Sequence, residues 1–526
     1  MINRIIFNLC NIFESENLYY LLLKYFKKYI NNGRIGKKII EKGIDKMDIL
    51  KKILSPKVFL GIQIVITLVF LYFLFNFAVL PDMYFYGVIA IVVILCLLTF
   101  LLQFKAKDVG IRSIISRILA VVVSVGLVLV SIEMNRGTTF INGFSGMDYE
   151  TDALSVIVMA NSDYKELSDL NGKIFAVNEQ EDQKNLTDAL TDIRGQLTNE
   201  NTEYKNYKDW NYLSDALYNG DIDAIVANEA YRSMLEENHI DFNTETRVIY
   251  QVKIKKETEN IANEGAIKDG VFNICITGID TYGPVSTRSR SDVNMLMTVN
   301  MNTHKILMTG IPRDYYVTLA SKGAKDKLTH SGIYGVNETV NTIGNLLDTK
   351  IDYYYRINFS SLVNVVDVLG GIDVYSDKTF IPHTNKSIQI VEGVNHMDGA
   401  MALAFSRERY AYTSGDRHRI QNQQDVMMAI INKLLTPSVL SNYQEILEKV
   451  DGTFETNMSS EDIMTLIKMQ LSDLQGYEME NQYLDGTGTR MTGGYSMPSS
   501  NLYYMIPNED TVESAIQKIR SFEAES

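Results

Sequence analysis

The chain has 526 residues, of which 46% are hydrophobic and 22% charged, and its formal net charge is −14. This length exceeds what one hydrophobic core usually serves, so two or three folded units are expected. Three widely separated cysteines and six scattered histidines predict neither a disulfide framework nor a zinc site. A metal ion in this protein would be a hard cation held by oxygen ligands.

Charge is distributed unevenly along the chain. Residues 1–57 contain 12 Lys and Arg against 5 Asp and Glu, whereas the residues after Arg117 contain 34 against 57. A basic start followed by an acidic body is typical of a membrane protein whose ends lie on opposite sides, and it argues against nucleic acid as a partner. Residues 1–56 are therefore predicted to be a cytoplasmic N-terminal segment.

Three apolar runs within residues 57–134 predict three transmembrane helices. Val58–Leu80 and Met83–Phe104 contain no charged residue, and each is long enough to cross roughly 30 Å of hydrocarbon. The third run, about Ile114–Ile132, contains only Arg117, near its start, where the side chain can reach the headgroups.

The loops between these runs predict the orientation of the protein. The loop after the second run contains Lys105, Lys107 and Arg112, whereas the loop after the first has no basic residue. By the positive-inside rule, the N-terminus and the second loop are cytoplasmic, and the chain from about Asn135 onward lies outside the cell membrane. No cleavable signal pattern precedes the first run, so it should remain as an anchor. Chemistry on the outer side has no access to cytoplasmic ATP and needs a substrate with its own activated bond.

Two α/β units are predicted outside the membrane. Residues 146–265 alternate short strand-like runs with polar helices, which indicates a small accessory unit of βαβ type. Its phrases Leu170–Lys173 and Gly220–Val226 resemble the lobes of extracellular solute-binding proteins, and a spacer or recognition role is expected. Residues 270–526 again alternate strands with helices, which predicts a sheet covered by helices. In this second unit Asn337 is the expected cap of a helix, and residues 485–500 are expected to form a loop.

Charged residues interrupt the strand pattern of the second unit at several places. Asp280 ends a strand, where open α/β sheets place their ligands. Arg407 and Arg409 are two residues apart in a predicted strand, which would put both guanidinium groups on one face with Glu408 on the other. Arg419 and Gln423 are four apart on a helix predicted to begin near Asp416. Carboxylates that hold a Mg²⁺-like ion and guanidinium groups that grip phosphate oxygens would form a phosphate site. Taken singly, most of these charged residues are more typical of surface ion pairs. Arg407 and Arg409 are the exception, because two like charges two apart on a strand repel each other unless they share an anion.

Residues 278–435 resemble the LytR–CpsA–Psr (LCP) family of cell-wall glycopolymer ligases. The matching phrases are GID (278–280), RSDVNMLMTVN (290–300), IPRDYYV (311–317), DKLTHSGIYG (326–335), IDYYYRINFSSLVNVVDVLGGIDV (351–374), GAMALAFSRERY (399–410) and GDRHRIQNQQ (415–424). The resemblance implies that Asp280 and Asp292 hold Mg²⁺ or Mn²⁺. It implies a pyrophosphate site made by Arg290, Arg313, Lys327, Arg407, Arg409, Arg419 and Gln423. The expected catalytic residues are Asp280, Asp292, Arg313, Arg407 and Arg409. Asn422 departs from the pattern, since many relatives have a further arginine there.

The resemblance implies an extracytoplasmic phosphotransferase. Its donor would be a polyprenyl-pyrophosphate-linked polysaccharide, its acceptor peptidoglycan, and its product polyprenyl phosphate. Three spans and an accessory unit look most like the capsule-associated branch, so a capsular polysaccharide is the expected polymer, with membrane lipid and capsule-assembly proteins as further partners. An apolar groove for the lipid is expected along Leu362–Leu369 or Met427–Leu435.

Other functions are compatible with the same residues. Teichoic acid is the alternative polymer. A polyprenyl-pyrophosphate hydrolase would use the same site with water as acceptor. A non-catalytic regulator of capsule or wall assembly would need no site, although the basic N-terminal segment shows no helix-turn-helix pattern for binding DNA. A sugar- or peptide-binding module would instead have residues 146–265 as its working part.

Overall fold

The structure is a computed structural model. It describes residues 55–77, 80–104, 111–144, 149–178, 182–198, 201–237, 239–279, 285–413, 415–436, 439, 446, 449–450 and 452–525. The chain forms two compact units, Met1–Arg136 and Gly137–Ser526. Of the predicted N-terminal segment, residues 1–54 lie outside the described residues.

The first unit contains three long helices, which confirms the three predicted spans by length and composition. They are α1 (Pro56–Asn76), α2 (Asp82–Phe104) and α3 (Ile111–Phe144). A small core of Phe70, Leu74 and Leu127 joins them, while apolar side chains elsewhere on the helices point outward. Such exposed apolar surface is what a lipid environment covers. Arg117 is buried against its own helix, and its guanidinium donates to Ser113 Oγ at 3.0 Å.

The second unit begins with a five-stranded mixed sheet. Its strands are β1 (Tyr149–Met159), β2 (Ile174–Asn178), β3 (Glu203–Tyr207), β4 (Ala224–Asn228) and β5 (Thr246–Glu257), in the order β3-β2-β4-β1-β5. The intervening helices are α4 (Gln183–Gln196), α5 (Trp210–Asn219), α6 (Arg232–Glu236) and α7 (Phe242–Glu245). Strands β2, β3 and β4 are parallel, and β1 pairs antiparallel with both β4 and β5. The α/β character predicted for this region is therefore correct.

A six-stranded sheet forms the centre of the remaining chain. Its strands are β6 (Val271–Ile279), β7 (Ser291–Asn300), β8 (Lys305–Gly310), β11 (Tyr353–Asn358), β14 (Phe454–Thr456) and β15 (Glu478–Tyr483), in the order β14-β11-β6-β7-β8-β15. Three two-stranded pairs flank it: β9 (Tyr316–Thr318) with β10 (Lys325–Lys327), β12 (Ile372–Ser376) with β13 (Gly393–Met397), and β16 (Gly486–Met491) with β17 (Leu502–Pro507).

Helices cover this sheet, as the alternating pattern predicted. They are α8 (Val336–Leu347), α9 (Phe359–Val368), α10 (Gly399–Ser406), α11 (Asp416–Leu434), α12 (Ser460–Asp473) and α13 (Glu509–Ala524). One layer, with α8 and α13, packs a core around Leu296 and Leu307, and the other packs around Ile276 and Met308. The chain leaves β6 and β11 at the same end, because these strands are parallel and Ile279 pairs with Asn358.

Two local predictions are wrong. Residues 485–500 are not all loop, because β16 pairs with β17 across residues 486–491. The Gly- and Thr-rich strand lacks the apolar alternation that would reveal it, and its partner strand stabilises it. The second concerns α8, which begins at Val336 after Gly335, so Asn337 is not its cap. The amide of Val336 instead donates to Glu150 Oε1 at 3.0 Å, a carboxylate from the first sheet.

Glu150 also joins the two sheets through buried ion pairs. Its carboxylate contacts Arg356 Nη1 at 2.6 Å and Arg288 Nε at 3.0 Å. Arg288 further contacts Asp152, and Arg356 contacts Glu455 at 3.4 Å. Burial opposes ionisation of Glu150, but the two guanidinium groups outweigh it and lower the pKa of this carboxyl. The first sheet is thus connected to the second through charges that water does not reach.

Removing Glu150 should destabilise this junction. Glu150→Ala removes the carboxylate that pairs with two buried guanidinium groups. Breaking a buried ion pair in this way costs about 3–5 kcal/mol. The free energy of unfolding of the detergent-solubilised chain, measured with urea, should fall accordingly. Glu257→Ala, at an exposed position on β5, is the matched control and should change it by less than about 0.5 kcal/mol. Equal effects of both substitutions would contradict a stabilising role for the Glu150 pairs.

The orientation of the spans remains a prediction and can be tested with reporter fusions. Alkaline phosphatase fused after residue 145 should be active, because that position is expected to lie outside, where the enzyme folds. The same reporter fused after residue 108, in the basic loop, should be inactive. The reverse pattern would overturn the predicted orientation.

Candidate functional site

A cavity of about 310 Å³ lies where β6 and β11 end and β7 begins. Its polar lining includes Arg290, Asp292, Arg313, Asn358, His383, Thr384, Ser406, Arg407, Arg409, Tyr410, Arg419 and Gln423. Its apolar lining includes Val293, Met295, Ile357, Phe359, Leu362, Leu403, Val426 and Met427. The structure therefore brings together Asp292, Gln423 and five of the arginines that the sequence singled out, from four separate stretches of chain.

Asp292 lies in the wall of this cavity and is buried. Its Oδ1 accepts hydrogen bonds from Arg313 Nη1 at 2.8 Å and from Thr329 Oγ1 at 2.7 Å. Arg290 Nη2 lies 3.8 Å from the other oxygen, Oδ2, which accepts no hydrogen bond from the described residues. Burial opposes ionisation, but Arg290 and Arg313 outweigh it and hold the pKa of Asp292 well below its usual range. Asp292 is therefore an ionised carboxylate with one oxygen available.

The first turn of α11 contributes a second group of charges. Asp416 Oδ1 lies 2.9 Å from Arg419 Nη2 and 3.4 Å from Arg409 Nε. Arg407 lies with its guanidinium over the ring of Phe359, 4.1 Å from the ring centroid. Gln423 follows Arg419 by four residues and lines the same cavity, as the helical spacing predicted.

The strand predicted around Arg407 and Arg409 is wrong. Helix α10 ends at Ser406, and the chain then turns without regular structure. Buried Glu408 fixes this turn, because its Oε1 accepts the backbone amides of Arg409, Tyr410 and Ala411, while Oε2 accepts the amide of His383. Both arginines reach the cavity because Glu408 points away from it and holds the backbone between them.

The cavity has an excess of positive charge. Five guanidinium groups line it, against the carboxylate of Asp292. Burial, together with the positive charges of Arg409 and Arg313, lowers the pKa of Arg419 to about 10, although Asp416 opposes this shift. Nε of Arg313 and Nε of Arg419 are buried and donate no hydrogen bond within the described part of the chain. A bound phosphate would accept hydrogen bonds from these donors and neutralise part of this positive charge.

The metal ligands implied by the resemblance are only partly described. Asp280 lies outside the described residues. Asp292 fits a hard cation, because it is ionised and its Oδ2 is free of hydrogen bonds from the described residues. The described residues contain no group of three or more His, Cys, Asp or Glu side chains that could hold a metal ion. The Asp292 carboxylate is compatible with Mg²⁺, which proteins bind through one or two carboxylates together with phosphate oxygens and water.

Two residues singled out by the sequence lie away from the cavity lining. Lys327 contacts Asp314, with Nζ 3.6 Å from its Oδ1, and Asp314 in turn lies 3.6 Å from Arg313 Nε. Asn422 is buried on another face of α11, where it donates to the carbonyl of Phe405. Sequence reasoning missed Thr329, which lies within the phrase DKLTHSGIYG and hydrogen-bonds Asp292.

The apolar wall includes parts of both predicted lipid-binding helices. Leu362 of α9 and Met427 of α11 line the cavity. Further along these helices, Val366, Leu369 and Ile430 pack in a buried core. Of these two helices, the first turn of α9 and the middle of α11 therefore contribute to the apolar lining of the cavity.

The arginine cluster predicts tight binding of inorganic pyrophosphate. Arg419→Gln removes a buried charge and its hydrogen bonds, and charged hydrogen bonds contribute about 1.5–3 kcal/mol each. We expect the Kd for pyrophosphate to rise at least tenfold in isothermal titration with the full chain. Arg417→Gln is the matched control, because Arg417 is two residues away on the same helix, is exposed and contacts Asp485. Equal affinities of the two variants would contradict this site.

Comparisons with known proteins identify the family to which the chain is similar. A family model described as the LytR_cpsA_psr family matches residues 237–519. Two similar proteins are both named polyisoprenyl-teichoic acid–peptidoglycan teichoic acid transferase TagU. The one from Bacillus subtilis (strain 168) is 32% identical over 43% of this chain and 72% of its own length. The one from Enterococcus faecalis (strain ATCC 700802 / V583) is 33% identical over 45% of this chain and 76% of its own.

Solved structures are similar over about half of the chain. B. subtilis TagV is 26% identical with a TM-score of 0.42, over 49% of this chain and 98% of that one. TagT bound to LI-WTA is 26% identical with a TM-score of 0.40, over 51% and 94%. The family model matches more than half of the 526 residues. The chain therefore belongs to the LytR_cpsA_psr family.

Proposed function

We propose that this protein is an extracytoplasmic phosphotransferase that moves a glycopolymer from polyprenyl pyrophosphate to peptidoglycan and releases polyprenyl phosphate. The observation that carries the proposal is a single cavity with five guanidinium groups on one part of its wall and aliphatic side chains on another. A lipid diphosphate has the same two parts, an anionic head and an apolar tail. The named relatives, which are transferases of teichoic acid to peptidoglycan, support the same reaction.

The arginines would act on the leaving group. A hydroxyl oxygen of the wall glycan attacks the phosphorus that bears the polymer, and its proton passes to solvent. The bond from this phosphorus to the lipid phosphate breaks, and the lipid phosphate leaves with the electron pair. Arg313, Arg407 and Arg409 stabilise the negative charge that develops there, because their guanidinium groups are fixed before the substrate arrives. Arg290, Arg419 and Gln423 bind the remaining oxygens.

Mg²⁺ or Mn²⁺ is proposed as the cofactor, held by Asp292 and Asp280. When bound, such an ion would neutralise phosphate charge and polarise the phosphorus–oxygen bond. Thr329 and Arg313 orient the Asp292 carboxylate by binding its other oxygen. Lys327 would act indirectly, because its positive charge balances the carboxylate of Asp314, which lies beside Arg313.

For the polymer we propose a capsular polysaccharide. Three spans and the additional five-stranded sheet resemble the capsule-associated branch and support this assignment. The relatives named for teichoic acid make that polymer the alternative. Capsule-assembly proteins in the same membrane are the proposed additional partners.

The decisive experiment is transfer in vitro. The full chain in nanodiscs is incubated with lipid-linked polymer, Mg²⁺ and peptidoglycan, and both wall-bound polymer and free lipid phosphate are measured. Arg407→Ala and Asp292→Ala should each lower transfer at least 100-fold, because each removes charge at the diphosphate, while circular dichroism shows that both variants remain folded. Arg490→Ala, at an exposed position on β16, should leave transfer unchanged.

Each outcome has a distinct meaning. Near-normal transfer by either site variant would overturn the proposed site. Free lipid phosphate without wall-bound polymer would replace the transferase with a hydrolase. Transfer of a teichoic acid with no transfer of capsular polysaccharide would overturn the proposed polymer only.

A further inference from the structure

A second cavity lies on the opposite side of α11 from the arginine cavity. It has a volume of about 320 Å³ and is lined by residues that include Tyr375, Asp377, Tyr412, Gln424, Asp425 and Tyr483. A helix turns by about 100° per residue, so the side chain of Asp425 points about 160° away from those of Gln423 and Met427, each two residues distant. One helix thus presents one face to each cavity.

The second cavity offers hydrogen-bond acceptors that the described residues leave unused. Gln424 is fully buried, and its Nε2 is fixed on the carbonyls of Met308 and Gln482. Its Oε1 accepts no hydrogen bond from the part of the chain that the structure describes. Burial, and then the neighbouring Asp377, raise the pKa of Asp425 to about 6. Asp425 is only half-buried in this wall, so its carboxyl oxygens are offered to a ligand that donates hydrogen bonds.

The charged groups that line the second cavity disfavour an anionic ligand. Among the described residues, no Lys or Arg lines it, whereas two carboxylates do. Its histidine, His418, stacks on Tyr412, and burial lowers the pKa of His418, so this ring favours the neutral form. Lys378 lies over the ring of Tyr412 and Arg417 over that of Tyr483, but neither lines the cavity, so a phosphate inside it would face the two carboxylates.

Tyrosine rings also line the second cavity. The ring of Tyr375, on β12, is 62% exposed. Tyr412 is held beside it in the same lining by the hydrogen bond from its hydroxyl to Asp377 Oδ1 at 2.8 Å. An uncharged sugar combines hydroxyl donors with apolar C–H faces, so it matches acceptors placed beside aromatic rings.

One loop borders both cavities. Arg409 and Tyr410 line the arginine cavity, and Tyr412, two residues later, lines the second one. A glycan whose phosphate lies among the arginines would pass along this loop and reach the far side of α11.

We propose that the second cavity binds an uncharged sugar residue of a glycan engaged at the arginine cavity. This inference rests on the proposed function, because that function supplies two sources of glycan. The sugar belongs either to the acceptor strand of the wall or to the donor polymer, and the same hydroxyl and C–H chemistry would bind either.

Binding measured without turnover tests this assignment. The full chain in nanodiscs, with its arginine cavity unaltered, is titrated with muramidase-solubilised peptidoglycan fragments and, separately, with glycopolymer released from its lipid. We expect one of the two probes to bind, and Tyr375→Ala or Asp425→Ala to weaken that binding at least fivefold. Tyr212→Ala, which removes an equally exposed tyrosine on α5, is the matched control and should leave binding unchanged.

The outcomes separate the two proposals. Binding of wall fragments that needs Tyr375 and Asp425 assigns the cavity to the acceptor, and the same result with released polymer assigns it to the donor. Unchanged binding in both variants, or no binding of either probe, would overturn the sugar site. That result would leave the proposed transferase intact, since the latter depends on loss of transfer in Arg407→Ala.

Discussion

Unbalanced positive charge in a partly buried cavity is the constraint around which the site is built. Guanidinium groups repel one another, and removing them from water is costly unless an anion or a carboxylate is near. Here Asp292 and Asp416 provide part of that compensation, and the lowered pKa of Arg419 shows that it is incomplete. A bound diphosphate would supply the missing negative charge and so offset the energetic cost of gathering these guanidinium groups.

The first sheet is structurally connected to this cavity. Thr151 on β1 exchanges backbone hydrogen bonds with Ser286 and Arg288, at 2.8 and 3.1 Å. Arg288 then continues through Arg290 to Asp292 within four residues of chain. The accessory unit therefore helps to hold the stretch that carries two residues of the site. This connection gives the five-stranded sheet a structural role next to the chemistry, although no residue of that sheet lines the cavity among those described.

Helix α11 contributes to both cavities and packs against the six-stranded sheet. Its first turn carries Asp416 and Arg419, its middle contributes Gln423 and Met427 to the arginine cavity, and its opposite face borders the second cavity. Buried Gln424 connects this helix to β8 and β15. A Cβ added at Gly310 would lie 2.3 Å from Ile420, so the glycine at the end of β8 is what lets the helix approach the sheet so closely.

The sequence by itself determined the features that depend on local pattern. Unbroken apolar runs indicate membrane spans because only a lipid environment tolerates them, and helical spacing placed Arg419 and Gln423 on one face. The order of the motifs identified the family and the candidate residues of the site. Only the tertiary structure decided how Arg407 and Arg409 reach the cavity, because buried Glu408 overrides the alternation expected of a strand. It likewise decided the start of α8, where Glu150 from a distant strand replaces a local cap. Such contacts join residues that are far apart in the chain, so no local pattern encodes them.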